Sequence, residues 1–117
     1  MSPRSESRKV ELLQGTLDML ILKTLLFGPT HGRGIANYVR QTTDSVLSVE
    51  QGSLYPALHR LERGGLIAGT WEVRVGSSRE LKYYRLTPQG RAQLRSEQSK
   101  WDLIVGAIAR VMHPAEG

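Results

Sequence analysis

In the first third of the chain apolar residues recur at helical spacing, with Leu12, Leu13, Leu17, Leu20, Ile21, Leu25 and Leu26 forming a stripe that Met19, Leu22 and Phe27 broaden. The spacing predicts a scaffold helix buried on most sides and stopped at Gly28-Pro29, since proline cannot continue the hydrogen-bond ladder. Thr30 is then placed to cap a second helix running through Ile35, Ala36, Tyr38 and Val39 to Thr42. Gly32 and Gly34 thin its first turn, which implies either close approach to another backbone or a ligand phosphate, or simply a flexible helix start. A polar connection, Thr43 to Glu50, contains an extended Val46-Leu47-Ser48-Val49 and leads to a third helix with Ser53 as its N-cap. Pro56 is expected in the first turn, where a missing N–H costs no helical bond. Leu54, Ala57, Leu58 and Leu61 form the apolar face of this helix, Tyr55, His59, Arg60 and Arg63 the opposite one, and Gly64-Gly65 ends it.

From Leu66 the period changes to two: Ile67, Trp71, Val73 and Val75 fall on one side, and Ala68, Thr70, Glu72 and Arg74 on the other. Gly76-Ser77-Ser78 is a turn, and Glu80 to Leu86 is the returning strand. The resulting hairpin carries Arg74, Arg79, Lys82 and Arg85 against Glu72 and Glu80. Thr87 as cap and Pro88 at the first helical position start a last helix. Along it Leu94, Gln98, Trp101, Val105, Ile108 and Met112 follow alternating steps of four and three, the spacing of a coiled-coil seam, so a second copy of the chain is the expected partner. Leu103, Ile104 and Val111 widen the apolar face, so part of this helix should also pack on its own domain.

This order predicts a mainly α chain with a small β-hairpin, a winged helix-turn-helix plus a long C-terminal dimerisation helix. Residues 1–11 read as a flexible N-terminus, 12–87 as the DNA-binding domain and 88–117 as the dimerisation helix. The formal charge of +5 and pI near 10.0 add a preference for a polyanionic partner, because neutralising phosphates releases condensed counterions. Charge alone does not distinguish nucleic acid from a membrane surface; its concentration on the third helix and hairpin favours double-stranded DNA. Such a helix fits the major groove, where Arg60 and Arg63 can reach phosphates or guanine, Ser53 and Tyr55 can donate to phosphates, and His59 can do either. An interaction module that contacts protein or RNA stays open as the alternative.

Other classes fit poorly. The chain has no cysteine, and His31, His59 and His113 lie in different elements, so neither a metal site nor a catalytic constellation is expected and no cofactor is implied. The longest apolar run, Met19 to Leu22, falls far short of the roughly 20 residues of a membrane span, and the N-terminus has no apolar signal core; a cytoplasmic protein is expected.

Four segments together carry a resemblance: Leu13-Gln-Gly-Thr-Leu-Asp-Met-Leu-Ile-Leu22, His31-Gly32 with Gly34-Ile35, Gly52-Ser-Leu-Tyr-Pro-Ala-Leu-His-Arg-Leu-Glu62, and Lys82-Tyr-Tyr-Arg-Leu-Thr-Pro-Gln-Gly90. In this order they resemble PadR-type transcriptional regulators over Leu12 to Met112. The resemblance implies a homodimer on an inverted-repeat operator that usually represses, and the single last helix is similar to the shorter PadR subgroup, in which it forms the dimer interface. Carried over by position, Ser53, Tyr55 and Arg60 match the reading-helix motif, and Arg79 and Lys82 sit where a wing meets the DNA backbone. Position 33 departs from the pattern, with arginine where an aromatic residue is common; Arg33 either adds a phosphate contact or points into solvent. Trp101 is placed like a tryptophan against which some short members bind flat aromatic drugs, so it is either an effector platform or an interface anchor only.

Overall fold

The computed structural model describes residues 14–115; the expected N-terminal segment and the helix start at Leu12 lie outside them. Helix α1 spans Gln14–Leu26 and buries Leu17, Ile21, Leu22 and Leu25. Strand β1, Thr30–His31, follows it and pairs antiparallel with β3 (Glu80–Leu86), Thr30 opposite Tyr84 and His31 opposite Tyr83. Thr30 is therefore a strand residue and not the cap of the second helix. His31 caps α2 (Gly32–Thr42), its Nδ1 accepting from the Gly34 N–H at 3.1 Å.

Helix α3 begins at Gln51, two residues before Ser53, and runs to Arg63. Its N-cap is Glu50, which offers no side-chain bond, so Ser53 occupies the third helical position and caps nothing. Pro56 accordingly lies in the second turn, where it removes the amide that would bond the Gly52 carbonyl. The helix persists because Leu54, Ala57, Leu58 and Leu61 are all buried, and full burial of a leucine contributes roughly 1.5–3 kcal/mol. At its end Gly65 takes φ +78°, and the Leu66 N–H reaches back to the Leu61 carbonyl at 3.0 Å.

Strands β2 (Ile67–Val73) and β3 form the hairpin, and the sheet order is β1-β3-β2. Ile67, Gly69, Trp71 and Val73 do share one face, opposite Leu86, Tyr84, Lys82 and Glu80. Only the base of that face enters the core: Ile67 is 1% exposed, whereas Trp71 is 62% and Val73 56% exposed, because the hairpin runs out beyond the helices. Helix α4, Pro88–Met112, starts at Thr87, whose hydroxyl accepts from the Gly90 N–H. Its first two turns pack on α1, with Leu94 inside the common core, and the remaining turns project from the body. The result is the expected winged-helix arrangement with an arm. Among the described residues no helix is long and apolar enough to cross a membrane.

Candidate nucleic-acid interface

At about 100° per residue, the buried stripe of α3 leaves Gly52, Pro56, His59 and Arg63 pointing straight away from the core. Ser53 and Arg60 flank this outward row on the side of α1, and Tyr55 and Glu62 flank it on the side of the hairpin. The observed contacts agree. Arg60 is paired with Asp18 of α1, Glu62 with Lys82 of β3, and Tyr55 lies against Gly32 at the start of α2.

Two residues expected to meet DNA are therefore already engaged. The Arg60 guanidinium is hydrogen-bonded to the Asp18 carboxylate and so ties α3 to α1, and any DNA contact by Arg60 would compete with that pair. Burial nevertheless raises the Asp18 pKa above its ordinary value, outweighing the opposing effects of the Arg60 hydrogen bond and charge, while Glu97 on α4 pushes in the same direction as burial. The pair joins α3 to α1, with the Asp18 carboxylate the more withdrawn from solvent of the two partners. Lys82 donates to Glu62 Oε1 at 2.9 Å and lies 5.5 Å from the Tyr84 ring centre and 5.9 Å from that of Trp71. Its hydrogen bond to Glu62 raises its pKa, so it is a firmly charged lysine whose carboxylate partner is on the reading helix. Burial likewise raises the Tyr84 hydroxyl above its usual value.

The two glycines of α2 lie against side chains and not against a second backbone. A Cβ at Gly32 would lie 3.0 Å from the Tyr55 ring, and one at Gly34 would overlap the Thr30 hydroxyl. Gly32 therefore admits the tyrosine that closes α2 against α3. Arg33, between them, stands at the mouth of two shallow grooves: one between α2 and the start of α3, the other between α3 and the wing.

The wing groove brings together Arg33, Tyr55, His59, Arg74 and Arg79, with Glu62 and Lys82 paired on its floor. Arg33, Arg63, Arg74 and Arg79 make no ion pair among the described residues, so four guanidiniums border one face. Ser53 is exposed but on the opposite flank of α3 from the wing. Arg63, expected with Arg60 to reach phosphate or guanine, holds the outward position, and Arg60 lies about 60° round the helix from it. Among the described residues no group of three histidines or carboxylates is placed to hold a metal ion.

On α4, Leu94 is 3% exposed and belongs to the core of its own chain, which corrects its place in the seam. Gln98, Trp101, Val105, Ile108 and Met112 are exposed, Trp101 at 42%, as are Leu103, Ile104 and Val111.

Comparison with known proteins agrees with this geometry. A transcriptional regulator from Clostridium thermocellum superposes with a TM-score of 0.75 at 29% identity, over 83% of this chain and 93% of that one. A PadR family transcriptional regulator from Eggerthella lenta gives 0.71 at 31% identity, over 95% and 89%. A transcriptional regulator of Mycobacterium tuberculosis is 48% identical over 50 residues, 43% of this chain and 45% of that protein. The profile of the transcriptional regulator PadR-like family matches residues 21–96, and the chain belongs to that family, whose members are DNA-binding transcriptional regulators and not enzymes.

Proposed function

We propose that the chain acts as a homodimeric, sequence-specific DNA-binding repressor that recognises an inverted-repeat operator and is released by a small aromatic effector. The observation that carries this reading is the arrangement of Arg33, Arg63, Arg74 and Arg79 around α3 and the wing, four cations without an ion pair among the described residues, on the face that a winged helix turns to the duplex. In this reading α3 enters the major groove through His59 and Arg63, and the wing follows the backbone through Arg74 and Arg79.

The dimer is supported by α4. From Trp101 onward its apolar residues extend over roughly 200° of the helix surface, from Leu103 round to Val105, at about 100° per residue. A narrow two-helix seam would cover only about half of that, so each arm needs more than one partner helix. Pairing of two arms holds the reading helices about 34 Å apart, one DNA turn, and thereby defines the operator spacing. Trp101, half-exposed at the proximal end of this surface, is the proposed platform for the effector. Effector binding lowers DNA affinity only through a preference for a dimer geometry that does not fit the operator.

Footprinting on the DNA upstream of the chain's own coding region tests the proposal. The expected result is a two-fold symmetric protected site whose half-site centres lie about 10 base pairs or a multiple of that apart. A single unsymmetrical half-site, or no protection, would overturn it.

A further inference from the structure

We infer that Glu62 and Lys82 together set the pitch of the wing against the reading helix, so that Lys82 is a positioning residue for DNA binding and not itself a phosphate contact. This rests on the DNA-binding reading above. Beyond Gly69 and Tyr84 the hairpin leaves the body, with Trp71, Val73 and Val75 exposed at 62%, 56% and 104%. Among the described residues the Lys82–Glu62 pair is the ion pair that joins this outer part to α3. Gly69, opposite Tyr84 in the register, makes room for it: a Cβ there would lie 2.6 Å from Lys82 Cε and 3.1 Å from Glu62 Oε2. The ammonium is further held between the Tyr84 and Trp71 rings.

Electrostatics favours keeping the pair closed on DNA. A phosphate that drew Lys82 away would leave the Glu62 carboxylate facing the polyanion, a like-charge contact in the wing groove. The mechanical consequence is large. Arg74 and Arg79 lie about three residues, or roughly 10 Å, beyond Lys82, so a tilt of about 10° displaces them by about 2 Å.

The test combines amide hydrogen exchange of the DNA-free protein with affinity for its upstream DNA as a function of salt, for Glu62→Ala, Lys82→Met and the exchanged pair Glu62→Lys with Lys82→Glu. Each single substitution should speed exchange at residues 71–73 and 80–82 about three- to fivefold, the scale of a partly exposed ion pair, with no change in α1. Each should also weaken DNA binding while leaving the salt slope unchanged, and the exchanged pair should restore both protection and most of the affinity. Unchanged exchange in both singles would overturn the inference. So would a Lys82→Met slope flattened by about one unit together with tighter binding by Glu62→Ala, which would make Lys82 a phosphate contact with Glu62 as its competitor. If the unsubstituted chain binds no DNA, the function reading fails, and the exchange measurement still decides whether the pair holds the wing.

Discussion

Gly90 shows how much a single position governs. A Cβ there would overlap the Leu66 carbonyl and come within 2.8 Å of Leu86, and the neighbouring Thr87 hydroxyl bridges the Gly65 carbonyl at 2.7 Å and the Gly90 N–H at 3.0 Å. The Leu86-Thr87-Pro88-Gln89-Gly90 motif is thus the joint where the wing, the end of α3 and the start of α4 meet. Gly90→Ala should lower stability by about 1–3 kcal/mol, the usual cost of overpacking, as read by denaturant unfolding. Asp18 and Arg60 give a second prediction at this scale. Asp18→Asn should cost less stability than Arg60→Ala, because only the latter leaves a partly buried carboxylate without its cation. Since the folded Asp18 pKa is raised, its protonated form stabilises the fold at low pH, and that contribution is lost as pH rises through the raised value. Carboxyl titration by NMR should show the raised value in the native protein and a further rise in Arg60→Ala; a value below the ordinary range would contradict it.

At the scale of elements, the connection from α2 to α3 stores strain. Asp44 and Ser45 both adopt left-handed backbone, φ +52° and +66°, in a turn closed by the Ser45 N–H on the Arg40 carbonyl at 2.7 Å. Glycine adopts that region without the Cβ clash, so Ser45→Gly should stabilise the fold by about 1 kcal/mol; a loss of thermal stability would show that the serine has a role the backbone does not reveal. The elements also show which features the sequence made legible. The long helices and the hairpin follow from strong periodicity and from marked ends, Gly64-Gly65 and Thr87-Pro88. Strand β1 was invisible because two residues carry no period, and it exists only through pairing with Tyr83 and Tyr84, some fifty positions away. The start of α3 was misplaced because Ser53 and Pro56 make a good local N-terminus, and the buried leucines carried the helix past that preference. The basic character of the interface was legible in composition. Which cations point outward was not, because Asp18 and Glu62, which engage Arg60 and Lys82, come from other parts of the chain.

The described part of the molecule is elongated because 25-residue α4, about 38 Å long at 1.5 Å per residue, extends beyond the domain it starts in. A body this small leaves the apolar far half of that arm uncovered, which is why the dimer is central to the proposed function. Ile104→Asp places a charge at the centre of the exposed apolar arc and should shift sedimentation from dimer to monomer while leaving the winged-helix domain folded by circular dichroism. The most direct measurement is the stoichiometry and salt dependence of binding to the chain's own upstream DNA. Arg33, Arg63, Arg74 and Arg79, which make no ion pair among the described residues, are doubled by dimerisation and give about eight phosphate contacts and a log-log slope near −7, with two chains bound per site. One chain per site, or a slope near zero, would contradict the proposed dimeric DNA-binding regulator.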